Sequence, residues 1–128
     1  MRLLIVDDSE LMRKVTRLAF RSTAELSEAT NGIEALAVLS TSHQPFDAIV
    51  LDLQMPDMNG AEFLRALRQR PLHRDTPVVV ATSEGETSPL VQEARRLGVS
   101  AVLRKPWQPK ELAAMVELAG KSKVERRA

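Results

Sequence analysis

Four short aliphatic runs, "LLIV" at 3 to 6, "AIVL" at 48 to 51, "VVVA" at 78 to 81 and "AVL" at 101 to 103, alternate with longer stretches of helical periodicity. This alternation restricts the chain to few architectures. Uninterrupted runs rich in Val, Ile and Leu predict strands buried on both faces, as parallel strands covered by helices are. A weaker strand is expected near "AELSEA" at 24 to 29. Between the runs, Leu11, Met12, Val15, Leu18 and Ala19 share one helical face, with Ser9 placed to cap it. Ile33, Leu36, Ala37 and Ser40 repeat that spacing, as do Phe63, Leu64 and Leu67, then Leu90, Val91, Ala94 and Leu97, and finally Leu112, Met115, Val116 and Ala119. Pro109 falls in the first turn of the last helix, and Gly98 stands just past Leu97, where a helix C-terminus favours glycine. Five strand-then-helix repeats imply a doubly wound parallel sheet, because right-handed crossovers cover both faces. The expected fold is therefore α/β and flavodoxin-like, a (βα)5 arrangement with five parallel strands in order 2-1-3-4-5. Its ligand site should lie beyond the carboxyl ends of the first and third strands.

A chain of 128 residues supports one domain, assigned to residues 1–120, with 121–128 as a charged tail or the start of a linker. That last stretch, "KSKVERRA", holds four cations against one anion. A net charge of +1 and only four aromatic residues argue against nucleic-acid binding by this chain alone. No apolar run approaches the roughly 20 residues of a membrane span, and "MRLLIVDD" is too short and too acidic for a secretory leader. The absence of cysteine excludes disulfides, thiolate metal sites and a cysteine nucleophile, and the expected location is the cytoplasm. Neither glycine-rich phosphate-loop pattern occurs, so nucleotide binding lacks its usual support.

The chemistry lies where the strands end. Asp7 and Asp8 follow "LLIV", Asp52 follows "AIVL", Thr82 follows "VVVA" and Lys105 follows "AVLR". Alone, the acid pair reads as a strand end and helix cap, Thr82 as a loop hydroxyl and Lys105 as a solvated cation. Together, on one rim of the predicted sheet, they form a constellation. Three clustered carboxylates repel and call for a cation; oxygen-only ligands in an open site suit Mg²⁺. A lysine ammonium and a threonine hydroxyl suit the oxygens of a phosphoryl group, and the central aspartate, Asp52, is then the acceptor.

The stretches "VDDS", "LDLQMPDMNG", "ATS" and "RKPW" resemble the motifs of a response-regulator receiver domain of two-component signalling, of the single-domain, chemotaxis-regulator-like kind, over residues 1 to about 120. The resemblance implies a phosphorylation-dependent signalling switch that catalyses only its own phosphorylation and dephosphorylation. It implies Asp52 as phospho-acceptor, Asp8 as a direct Mg²⁺ ligand, Asp7 holding a metal-bound water, and the Gln54 backbone carbonyl completing the metal set. Thr82 and Lys105 would contact the phosphoryl group, with Thr82 drawing its loop inward, and the Lys105 to Pro106 peptide would be cis. Val102 stands three residues before Lys105, where the family often has an aromatic switch residue. Gln54 and Glu84 occupy positions resembling those that tune phosphoryl lifetime.

The implied donor is a histidine kinase or histidine phosphotransfer protein, meeting the exposed end of the first helix around Leu11 and Met12 and the loop after Lys105. The output partner is unspecified. A face made by the fourth helix, fifth strand and fifth helix, with Arg95, Arg96, Arg104 and Lys110, is the candidate for it. Two other classes stand beside this reading: a non-phosphorylated receiver-like interaction domain, and a Mg²⁺-dependent aspartyl-phosphate phosphatase. The phosphatase would want a second acid where Gln54 stands. His43 and His73, in loops at the other end of the strands, are expected at the surface, and Trp107 partly packed near the acids.

Overall fold

The structure, a computed structural model, describes residues 1–20, 22 and 25–127, with 122–127 as helix backbone only. Five strands and five helices alternate among the described residues: β1 (Arg2–Val6), α1 (Glu10–Phe20), β2 (Glu25–Ala29), α2 (Gly32–Thr41), β3 (Ala48–Leu51), α3 (Gly60–Arg68), β4 (Val78–Thr82), α4 (Pro89–Arg96), β5 (Ala101–Arg104) and α5 (Pro109–Arg127). The strands form one parallel sheet in the order β2-β1-β3-β4-β5. Fold class and strand order agree with the sequence. Of the weak second strand, Ala24 lies outside the described residues, as does Ala128 of the tail. Helix α5 continues as backbone through most of the cationic stretch.

Alternation along each strand divides its side chains between two cores. On one face Leu4, Val6, Ile49, Leu51, Val78 and Val80 pack with Ala35 and Leu39 of α2, Phe63, Leu64 and Leu67 of α3, and Val91 and Ala94 of α4. On the other, Leu3, Ala48, Val50, Val79 and Ala81 pack with Phe20 of α1, with Trp107, and with Leu112, Val116 and Ala119 of α5. Strands β1, β3 and β4 are thus apolar on both sides, which is what their uninterrupted runs require. Strand β5 departs from that expectation. As an edge strand with one neighbour it is only half-buried, and Arg104 is exposed.

Local chemistry sets the helix ends. The Ser9 hydroxyl accepts from the Met12 N–H at 3.2 Å, and Asn59 with Glu62 forms a reciprocal capping box at α3. At the end of α4, Gly98 takes φ +78° while its N–H donates to the Arg95 carbonyl and that of Val99 to the Ala94 carbonyl. This is the paired C-terminal closure that glycine permits.

Two helix faces are rotated from their expected phase. In α1, Leu11 and Leu18 are exposed at 67% and 56%, whereas Arg13, Thr16 and Phe20 are buried. The inward turn of Arg13 is driven by hydrogen-bond acceptors beneath the helix, the Asp7 carbonyl and the Glu28 carboxylate. In α2, Ile33, Ala37 and Ser40 face outward while Ala35 and Leu39 are buried. Its sequence, "GIEALAVLST", is apolar on nearly every side, so periodicity alone does not choose the face and packing on α3 and β2 does. His43 is exposed, but His73 is 3% exposed, with Nε2 3.3 Å from the Leu39 carbonyl. The turns after α3 fold this ring against the end of α2, which overturns its surface assignment.

The β1–β3 ladder carries directly into the site. The Asp52 N–H donates to the Val6 carbonyl at 2.9 Å, the Asp7 N–H to the Ala29 carbonyl at 3.1 Å, and the Gly60 N–H to the Leu53 carbonyl at 2.9 Å. A methyl group on Gly60 would meet the Asp52 carbonyl oxygen at 2.7 Å and Leu53 Cα at 2.8 Å. Both are backbone atoms that cannot swing aside. Gly60→Ala is therefore expected to cost about 1–3 kcal/mol in denaturant unfolding, as overpacking does. A midpoint equal to the parent's would contradict this close approach.

Candidate functional site

Three carboxylates, from Asp7, Asp8 and Asp52, each offer an oxygen such that all three lie within 4.8 Å of one another. Asp7 and Asp52 are 7% and 6% exposed, while Asp8 faces solvent. The Lys105 Nζ sits between the two buried acids, 3.3 Å from Asp7 Oδ2 and 3.4 Å from Asp52 Oδ2. Three anions against one ammonium leave a local deficit of two positive charges. Such an all-oxygen set, open to water on the Asp8 side, fits a hard divalent cation. The other Asp7 oxygen accepts from the Ser9 N–H at 2.9 Å. Burial pushes the Asp7 carboxyl above the ordinary carboxylate range and the Asp52 charge adds to this, while the Ser9 N–H and Lys105 pull it down without cancelling the shift.

Two loops close around this cluster. The Thr82 side chain is fully buried; its hydroxyl accepts from the Glu84 N–H at 3.2 Å, and its carbonyl accepts from the Lys105 N–H at 2.7 Å. The Gln54 N–H donates to Asp52 Oδ1 at 3.4 Å, and its side-chain amide donates to the Glu84 carboxylate. That contact ties the loop after β3 to the loop after β4. A crevice opens beside the acids, lined by Asp8, Asp52, Gln54, Met55, Asn59 and Leu90. The Lys105–Pro106 peptide is cis.

The structure thus gathers Asp7, Asp8, Asp52 and Lys105 into direct proximity and places Thr82, Gln54 and Glu84 around them. Val102 pairs with Val80 across the sheet and packs, half-buried, against the α3–α4 core. Trp107 is more buried than expected, 9% exposed in the core beneath α1 and α5. In α4, Arg95 pairs with Glu86 at 2.5 Å and Arg96 with Glu93 at 3.0 Å, while Lys110 of α5 is exposed. Sequence reasoning passed over Arg13, which is 9% exposed and donates to the Asp7 carbonyl at 2.7 Å. Its signal was positional: residues 13, 16 and 20 form one inward line on α1.

A doubly wound sheet with three acids and a lysine at its carboxyl rim defines a class of proteins with an acidic site at the point where the winding reverses. Residues 3–117 match the model of the response regulator receiver domain, and the chain belongs to that family. It is 32% identical over 119 residues to a chemotaxis protein CheY homolog of Campylobacter jejuni, covering 91% of this chain and 90% of that one. It is also 32% identical to the transcriptional regulatory protein SrrA of Staphylococcus aureus, covering 90% of this chain but 46% of SrrA. Among solved structures, the chemotaxis response regulator CheY4 of Vibrio cholerae superposes with a TM-score of 0.82 at 33% identity, covering 92% of this chain and 97% of that one. No helix among the described residues is long and apolar enough to cross a membrane.

Because the folded Asp7 pKa lies above its unfolded value, the protonated carboxyl favours the native state at low pH. That contribution is complete below the unfolded pKa, about 3.9, and is lost as pH rises through the folded value. In metal-free buffer at neutral pH, Asp7→Asn is therefore expected to melt on the order of a few degrees above the parent. The advantage should shrink on acidification toward pH 4. An equal or lower Tm at pH 7 would show that the ionised carboxylate is not penalised by the fold.

Proposed function

We propose that the chain is a phosphorylation-dependent signalling switch whose acceptor is Asp52. The observation that carries this reading is the Asp52 carboxylate at the carboxyl end of the central strand, beside the Lys105 ammonium and within a three-acid group. Of the three acids, Asp7 is not part of the crevice lining, and Asp8 reaches the crevice only from a solvent-facing turn. Asp52 is held by the sheet through its N–H and also lines the crevice from which a donor can approach.

In the proposed reaction a carboxylate oxygen of Asp52 attacks the phosphorus of a partner's phosphohistidine. The P–N bond breaks, its electron pair leaves on the imidazole, and an acyl phosphate remains on Asp52. Asp8, Asp52 and the Gln54 carbonyl would hold Mg²⁺, with Asp7 acting through water. When bound, that ion supplies the missing positive charge and screens the phosphoryl oxygens. Lys105 neutralises the transferred group from the other side, releasing its contact with Asp7 as it does so. The Thr82 hydroxyl turns from the Glu84 N–H toward a phosphoryl oxygen and carries its loop with it. Gln54 and Glu84, joined across the site, govern how readily water reaches the acyl phosphate.

The donor is a histidine kinase or phosphotransfer protein, and the changed surface is α4, β5 and α5, where the packed Val102 leaves the rearrangement without an aromatic component. The reading places the chain in the cytoplasm, as a phospho-acceptor without turnover of an external substrate. Incubation with a phosphorylated donor and Mg²⁺ is expected to label the protein, with labelling lost in Asp52→Asn and lowered at least tenfold in Lys105→Ala. Retained labelling of Asp52→Asn would sink the assignment. Trp107, the sole tryptophan, lies two residues from Lys105, and its emission is expected to change on addition of Mg²⁺ or a phosphoryl mimic. Steady release of phosphate from a phosphomonoester would instead favour a phosphatase.

A further inference from the structure

Arg13 is a cation turned into the interior from α1, and its partners do not include the acids of the site. Its Nη1 donates to the Asp7 backbone carbonyl at 2.7 Å, its Nε to Glu28 Oε1 at 3.2 Å, and its Nη2 to Glu10. Arg17 contacts the same two glutamates, Glu28 at 2.6 Å and Glu10 at 3.0 Å, and does not reach Asp7. The two arginines and two glutamates balance in charge. Arg13 therefore adds little net field at the site, but it fixes one main-chain oxygen.

That oxygen belongs to the peptide joining Asp7 to Asp8, at the point where β1 leaves its ladder. On its amino side Asp7 is held by its N–H to the Ala29 carbonyl, and its carboxylate by the Ser9 N–H and Lys105. Among the described residues the Asp8 carboxylate has no hydrogen bond or ion pair, and it faces solvent. Its place in the three-acid group is set by the plane of the preceding peptide, since rotating that carbonyl swings the Asp8 Cα and everything beyond it. The carbonyl is clamped by a guanidinium that is itself anchored on β2 and on the first turn of α1.

We propose that Arg13 is a positioning residue for the metal-holding acids, acting through the Asp7–Asp8 peptide; the inference rests on the metal site described under Proposed function. The sign of one measurement separates positioning from electrostatics. Removing a positive charge near a cation site strengthens cation binding by Coulomb's law, whereas releasing a clamped ligand weakens it.

The test is calorimetric titration of Mg²⁺ into the full chain, with amide hydrogen exchange of the metal-free protein beside it. Arg13→Met is expected to weaken Mg²⁺ binding by about 10-fold or more, the usual effect of losing a partner that orients a ligand. It should speed exchange at the Asp8 and Ser9 amides while the β3 amides keep their protection. Arg17→Met removes the same charge and touches the same glutamates, and is expected to leave Mg²⁺ affinity unchanged or slightly raised. Unchanged or tighter Mg²⁺ binding by Arg13→Met would overturn the proposal. If Arg13→Met does not fold, Arg13→Lys keeps the charge but cannot span all three acceptors. It is expected to weaken Mg²⁺ binding in the same direction, and parent-like affinity would overturn the proposal equally. Should the parent itself bind no Mg²⁺, the metal site proposed above fails, and exchange at Asp8 and Ser9 alone decides the role of Arg13.

Discussion

Like charges repel, and a fold that brings three carboxylates within 4.8 Å must hold them there against that force. Here the restraint is the parallel ladder. Asp7 and Asp52 each stand one residue beyond a paired position, with Val6 opposite both Ala29 and Leu51, and each donates its own N–H one step further along the ladder. Because the strands are apolar on both faces, sliding the register by one residue would bury a carboxylate in either core, at a cost of several kcal/mol. The same packing that stabilises the sheet thus fixes the acids at its rim. Lys105, delivered from β5, compensates only part of the charge, so the rim keeps an excess of negative charge.

Support for the cluster comes from two directions with different chemistry. On the β4–β5 side a lysine ammonium touches the carboxylates directly, and main-chain bonding of Lys105 to Thr82 joins it to the loop that ends β4. On the β1–β2 side a guanidinium holds the backbone and leaves the carboxylates alone. The division is physically sensible. A charge that, in the proposed function, meets an incoming phosphoryl group has to be mobile and compact, as an ammonium is, whereas a fixed main-chain anchor suits the planar, multiply donating guanidinium.

Most of this was legible in the chain. The strands β1, β3 and β4 announced themselves as continuous apolar runs, and their carboxyl ends, with that of β5, marked Asp7, Asp8, Asp52, Thr82 and Lys105 without any contact being known. What remained hidden depends on tertiary choices that periodicity does not encode. The buried face of α2 was ambiguous because its apolar residues surround the helix, and packing selected the line of Ala35 and Leu39. The face of α1 was misphased because apolar spacing alone takes no account of Arg13, whose carboxylate and carbonyl partners draw it under the helix. His73 was missed for a related reason: a polar ring in a turn carries no sequence mark of the carbonyl it will meet.

The two ends of the sheet differ in what their polar groups do. At the amino end, Arg68 alone donates to the carbonyls of Leu97, Arg74, Thr76 and Gly98, and Arg2 reaches Asp47 through its N–H while its guanidinium lies over the Phe46 ring. At the carboxyl end the chain accepts unfavourable terms: a raised Asp7 pKa, a left-handed Asp57 at φ 68°, and a helix start so close to Asp52 that only Gly60 fits. Aspartate tolerates that backbone better than most residues, yet each feature still costs stability. They persist because the two cores and the ties at the opposite end stabilise the fold as a whole. On the proposed function, the loops at the carboxyl rim are consequently the part of the molecule with most to gain from a bound cation or phosphoryl group, and rearrangement there need not disturb the sheet beneath.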